Sequence, residues 1–160
     1  MERLGEKDEA ALQSLVDSCG DYYGLVYGAP APSGEAQLLL GELPPGKTQA
    51  DKHMFGFFRG LELYGVLDIV RGYREPLDWY LGLLLLSPWA RGGGFGTMIF
   101  EELISWVRAE GGKRVRLAVA EQNVRGRRFW DRHGFQLDKR FPPKKLIARE
   151  TVFLELVRDI

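Results

Sequence analysis

The stretch that most restricts the fold of this chain is a glycine turn, Arg91-Gly92-Gly93-Gly94-Phe95-Gly96, set between two regular segments. The apolar run Trp79 to Leu86 before it reads as a strand, and the periodic segment Thr97 to Glu110 after it reads as a helix. The glycines therefore mark a handover from strand to helix. Consecutive backbone N–H groups with no side chain in front of them can close on an anion, and the helix start adds unsatisfied donors and a partial positive charge. Glycine also supplies the unusual dihedrals and the close backbone approach that such a turn requires.

The rest of the chain supplies a sheet and its covers. Glu6 to Cys19 reads as an amphipathic helix carrying Ala10, Leu12, Leu15 and Val16 on one face, with Gly20 able to close it. Asp21 to Gly28 interleaves Tyr22, Tyr23 and Tyr27 with glycines, and suits either half-buried helix packing or the lining of a ligand pocket. Ser33 is placed to cap a short helix through Leu43. His53 to Phe58, Leu61 to Arg71 and Leu77 to Leu86 read as a three-strand meander. Leu83 to Leu86 is apolar on both parities, which predicts a central strand covered on both faces. The helix after the turn should pack through Met98, Ile99, Leu103, Trp106 and Val107 and stop at Gly111-Gly112. Arg114 to Ala120 alternates as a strand, Asn123 caps a helix running to His133, and Gly134 ends it. Phe135 to Phe141 and Thr151 to Val157 close the list as strands, with Pro142 to Lys145 as a loop between them.

Two other phosphate motifs fail, the first on mechanism and the second on pattern. Gly41-Glu42-Leu43-Pro44-Pro45-Gly46-Lys47-Thr48 spells the P-loop pattern, with the run ending at Asp68 as its acidic partner strand. Pro44 and Pro45 remove two of the amides that such a loop aims at phosphate, and a strand rather than a helix follows it. A dinucleotide fingerprint needs a third glycine, and its position holds Thr97 or Ile99 depending on the register.

The ordered set Leu84-Leu85-Leu86-Ser87-Pro88, then Arg91 to Gly96, then Asn123 through Phe129-Trp130 to Gly134-Phe135 resembles the GNAT superfamily of acetyl-CoA-dependent N-acetyltransferases. These motifs lie within residues 79–140. The resemblance implies an α/β (α+β) fold in one domain over residues 1–160: a mixed, mostly antiparallel sheet of six or seven strands with about four flanking helices. It implies acetyl-CoA, or coenzyme A, as co-substrate. The diphosphate would rest on Arg91, Gly92, Gly93, Gly94, Phe95, Gly96 and Thr97, and the pantetheine arm would lie along Leu84, Leu85 and Leu86, pairing with main-chain groups of Leu84 and Leu86. Asn123 would hold the arm from the other side, Phe129 and Trp130 would line its end, and Arg125, Arg127 and Arg128 could reach the 3′-phosphate.

Chemically, the expectation is transfer of acetyl to a primary amine of a small molecule or peptide, entering against the Tyr22 to Tyr27 segment, the Gly72 to Asp78 turn and the Pro142 to Arg149 loop. The family's usual tyrosine acid is replaced by Trp130, and Tyr80 and Gly82 stand where a strand carboxylate is common. Tyr80 is the candidate acid, and Asp78 the first candidate carboxylate, with Glu75 and Asp68 behind it. The rival reading is an acyl-CoA-binding module that has lost the chemistry.

Composition excludes the remaining classes. With 22 basic and 22 acidic residues the formal charge is zero, so no global field draws nucleic acid or an anionic membrane. No signal-like or spanning apolar segment occurs, which predicts a cytoplasmic protein. The single cysteine, Cys19, reads as a buried hydrophobe. His53 has no partner visible in sequence, His133 reads as structural, and no metal site is expected. Pairing of two copies through the last strand rests on analogy.

Overall fold

The computed structural model describes all residues, 1–160. Its strands are β1 (Glu2–Arg3), β2 (Lys52–Arg59), β3 (Glu62–Arg71), β4 (Asp78–Leu86), β5 (Arg114–Ala120), β6 (Gln136–Arg140), β7 (Lys144–Lys145), β8 (Glu150–Thr151) and β9 (Phe153–Asp159). The helices are α1 (Glu9–Ser18), α2 (Gly20–Tyr27), α3 (Glu35–Gly41), α4 (Phe95–Ala109) and α5 (Val124–Arg132). Seven strands form one sheet in the order β1-β2-β3-β4-β5-β9-β6, and β7 and β8 form a separate hairpin. Every neighbouring pair is antiparallel except β4 with β5, which α4 connects as a crossover. No helix is long and apolar enough to cross a membrane.

Each face of the sheet has its own core. On one side α4 and α5 cover Leu67, Ile69, Trp79, Leu81, Val115 and Leu117. On the other, α1 and α3 cover Met54, Leu63, Val66 and Leu85. Leu12, Leu15 and Val16 of α1 are buried there, and each contributes about 1.5–3 kcal/mol of transfer free energy.

Several sequence expectations shift in detail, each for a physical reason. The buried stripe of α4 is Ile99, Phe100, Leu103, Ile104 and Val107, while Met98 is half exposed. Phe100 packs edge-on with Trp130 and tilted against Phe135, so aromatic packing against α5 and the chain after it rotates the stripe by about one residue. Ser33 caps nothing: Gly34 is the N-cap of α3, with φ 93°, and the helix start is answered from α1, where Gln13 Oε1 accepts from Ala36 N–H at 3.0 Å. Only Cys19 separates α1 from α2, so Gly20 opens the second helix instead of closing the first. The loop after Pro142 contains the β7–β8 hairpin, two residues per strand, which is too short to show a periodicity. The final strand β9 lies between β5 and β6, so it offers no free edge to a second copy.

The P-loop pattern is a turn. Thr48 N–H and Oγ1 both donate to Asp51 Oδ2, at 2.9 and 3.1 Å, and β2 follows directly. Asp68 pairs with Lys52, not with Lys47.

Candidate active site

β4 and β5 pair from Asp78 opposite Arg114 to Leu81 opposite Leu117, then part, although β4 runs on to Leu86 and β5 to Ala120. The wedge between them opens a cleft of about 520 Å³. This is why Leu83, Leu84 and Leu86 are only half buried, against the expectation of a strand covered on both faces: past Leu81 the strand has lost a neighbour. Ser87 N–H donates to Tyr64 O at 2.8 Å. Alternation along an antiparallel ladder then gives the main-chain groups of Leu85 to β3 and turns those of Leu84 and Leu86 into the wedge.

The glycine turn closes one end. Gly92 and Gly94 are left-handed, with φ 84° and 88°, and Gly94 is the N-cap of α4 with no side-chain cap. A Cβ at Gly94 would meet nothing within 4 Å, so the turn opens onto empty space. Gly96 lets α4 approach α5, since a Cβ there would stand 3.3 Å from Phe129 Cε2. Arg91 lines the cleft with Nε donating to Leu86 O at 2.8 Å and Nη1 paired with Asp21, whose carboxyl that hydrogen bond holds below the usual carboxylate range. Its Nη2 is buried without a partner. Uncapped amides, an open glycine turn and an unpartnered guanidinium nitrogen together fit a diphosphate.

The opposite wall holds Asn123, Phe129 and Trp130. Asn123 Oδ1 accepts from Gly126 N–H at 2.9 Å, so this residue caps α5 and borders the cleft at once. Phe129 O is 2.8 Å from His133 Nδ1, and because a carbonyl only accepts, that nitrogen carries the hydrogen. Of the three arginines proposed for a 3′-phosphate, only Arg125 borders the cleft; Arg127 donates to Glu121 O at 3.2 Å. Arg132 also borders it, and the helical spacing of α5 from Arg125 could have indicated this.

The sequence profile of the Acetyltransferase (GNAT) family matches residues 22–135, a span containing both walls of the wedge and the turn. The chain belongs to the GNAT acetyltransferase family. Among solved structures it is similar to an acetyltransferase from Thermus thermophilus, at 25% identity and TM-score 0.82 over 99% of this chain and 95% of that one. A GNAT acetyltransferase from Elizabethkingia anophelis with acetyl-CoA bound matches in fold, with TM-score 0.59 and 10% identity over 69% of this chain and 78% of its own. A Bacillus subtilis acetyltransferase in complex with CoA matches to a similar degree, at TM-score 0.58 and 12% identity over the same shares, 69% and 78%. No curated protein matches this acetyltransferase by sequence.

The acetyltransferase has a second cavity of about 750 Å³, lined by Tyr22, Tyr27, Tyr80, Gly82, Ala118, Phe141, Phe153 and the segment Pro142 to Lys145. Tyr22 borders both cavities, so they meet at α2. Tyr80 lies 4.8 Å from Tyr73 between ring centroids, and burial pushes its phenol up to about 12. Burial likewise raises Tyr22, Tyr23 and Tyr27. A phenol raised in the folded state contributes stability that is complete below its unfolded value of about 10 and is lost as pH climbs through the folded value. Unfolding followed by circular dichroism should therefore begin above about pH 10, and Tyr80→Phe should lessen the loss between about pH 10 and 12.

Asp78 stands apart from both cavities. It is buried at the start of β4 and accepts from Arg116 Nε at 2.8 Å, so its charge is already matched. The same guanidinium reaches Asp138 at 2.8 Å and Glu155 at 3.4 Å. Glu155 is 1% exposed and also accepts from Arg74 Nη2 at 2.6 Å. This polar network ties the Gly72 to Asp78 turn to β5, β6 and β9, which keeps Asp78 out of the second cavity. Glu75 is an exposed turn residue whose carbonyl accepts from Asp78 N–H.

Proposed function

We propose that the protein moves an acetyl group from acetyl-CoA directly to a primary amine. The observation that carries this reading is the wedge between β4 and β5 ending on an uncapped glycine turn, a shape that fits a chain with a diphosphate at one end and a thioester at the other. The fold-level relatives described with acetyl-CoA or CoA bound support it.

In this reading the amides of Gly92 to Gly96 and Thr97 hold the diphosphate, with Arg91 Nη2 and Arg125 as charged donors. The arm pairs along β4 as a short added strand. Leu86 O already accepts from Arg91 Nε and, at 3.4 Å, from Cys19 Sγ, so the pairing groups are those of Leu84 and the Leu86 N–H. Phe129 and Trp130 keep the arm's end dry. A main-chain N–H on the splayed strand offers a preorganised donor to the carbonyl oxygen as negative charge gathers there. Tyr80, held as a phenol at neutral pH, is the proton donor to the departing sulfur.

Acetyl-CoA-dependent thiol release against a panel of amines tests this. Turnover is expected from the wild type, with Tyr80→Phe reduced on the order of 100-fold in kcat and unchanged in coenzyme A affinity. The second reading, a binding module, is favoured by Trp130, which lies in the core at 8% exposed and cannot exchange a proton. It predicts thermal stabilisation by coenzyme A with no thiol release.

A further inference from the structure

Asp68 and Lys52 form a buried ion pair beside the acceptor cavity that neither the cofactor cleft nor the Arg116 network uses. Lys52 Nζ donates to Asp68 Oδ2 at 2.8 Å and to Glu42 O at 3.0 Å, and Asp68 Oδ1 is buried with no partner at all. Such pairs are a poor source of stability compared with apolar packing, so the fold alone does not account for this one.

The strand register connects the pair to the cavity. Asp68 of β3 is opposite Leu83 and Ile69 is opposite Leu81, so Gly82 is a bulge with no partner residue. Gly82 lines the acceptor cavity, and a Cβ built on it would stand 3.0 Å from Asp68 Oδ2. At Gly82 a bare Cα lies between the cavity and that carboxylate, and any other residue would crowd Asp68 Oδ2. The walls around this window are aromatic, from Tyr22, Tyr27, Phe141 and Phe153. Lys144 and Lys145 are exposed at the rim, and no carboxylate lines the cavity.

We propose that the acceptor is a primary amine on an aromatic or apolar arm, and that Asp68, reached over the bare Cα of Gly82, receives its ammonium group and removes one proton. The inference rests on the acetyl-transfer reading. The proton ledger closes with the residues present. Asp68 takes one proton from the ammonium and later yields it to solvent. The neutral nitrogen forms the new C–N bond as the C–S bond breaks. A second nitrogen proton passes to the Tyr80 oxygen while Tyr80 gives its own to the sulfur. Lys52 Nζ, donating at 2.8 Å, steadies the carboxylate. Burial raises the Asp68 carboxyl above the usual range, with Lys52 and Glu42 as the charged groups around it, which brings its basicity toward that needed to accept from an amine.

Tyramine and spermidine, each with acetyl-CoA, are the test probes. The wild type should prefer tyramine by about tenfold or more in kcat/KM. Asp68→Asn should lower tyramine turnover about 100-fold and flatten the acidic limb of the pH profile, with coenzyme A affinity unchanged. Gly82→Ala keeps the Lys52 pair and narrows the window; it should raise KM for tyramine about tenfold at near-constant kcat, and it decides the matter if Asp68→Asn does not fold. Should the wild type release no thiol with any amine, the transfer reading fails by itself, and tyramine-dependent stabilisation of the coenzyme A complex, present in the wild type and absent in both variants, still reads the Asp68 site. Wild-type behaviour in both variants, a preference for spermidine, or no tyramine effect on turnover or melting overturns the proposal.

Discussion

Replacing Gly94 with valine removes the rise in melting temperature that coenzyme A gives the wild-type protein. At 100 times its dissociation constant a ligand adds about 2.7 kcal/mol, which for a chain of this size is roughly 5–10 °C. The substitution acts twice. Gly94 has φ 88°, where a branched side chain is strained by roughly 1–2 kcal/mol or more. Its side chain would also project into the empty space over the first turn of α4, where the diphosphate is proposed to bind. The two effects separate by comparison with Gly34→Val, because Gly34 has φ 93°, also has nothing within 4 Å of an added Cβ, and lies at the start of α3, away from the cleft. Both variants should melt lower without ligand by similar amounts. Only Gly34→Val should retain the full coenzyme A response, and an undiminished response in Gly94→Val would remove the turn from the binding site.

Arg116→Met is the largest expected loss of stability. The methionine fills most of the volume of the arginine stem but leaves Asp78 and Glu155, whose side chains are 5% and 2% accessible, without the cation that lies 2.8 and 3.4 Å away. Breaking a buried pair by removing one partner costs about 3–5 kcal/mol, or roughly 6–20 °C here. Arg74 still reaches Glu155, so Asp78 carries most of the uncompensated charge. Two further measurements identify the cause. Adding Asp78→Leu to Arg116→Met should recover much of the loss, since an apolar pair can replace a buried ionic one. Lowering the pH toward about 4 should narrow the gap to the wild type, because an uncompensated buried carboxylate has its folded pKa raised and is relieved by protonation. In the wild type the opposite holds for Asp138, held low by its Arg116 hydrogen bond, which loses its contribution as pH falls through that lowered value.

The parts of this architecture that sequence reveals are those with a local cause. Alternation in Arg114 to Ala120, the Asn123 cap and the glycine run at Arg91 to Gly96 each express a backbone requirement in residue types, and the strands, α5 and the turn follow from them. What sequence hides depends on partners far along the chain. The bulge at Gly82 exists because β3 and β4 change register there, and a lone glycine in an apolar strand does not state which carboxylate it uncovers. Asp78 reads in sequence as an available base, yet Arg116, 38 positions later, already holds it. Met98 and Phe100 exchange roles because α4 turns its aromatic residue toward α5, a decision made by two helices together. The hydrogen bond from Arg91 to Leu86 O likewise joins two parts of one motif that sequence treats as separate ligand contacts.

The central claim is that the glycine turn and the splayed edge of β4 grip coenzyme A. Titrating coenzyme A into the nitrogen-15-labelled protein and following the backbone amides tests it most directly. The account predicts that the largest shifts fall on Gly92 to Thr97, with further shifts at Leu84, Leu86 and Asn123, while Gly41 to Thr48 stay unmoved. Shifts concentrated at Gly41 to Thr48, or spread over the surface with the turn unchanged, would contradict it.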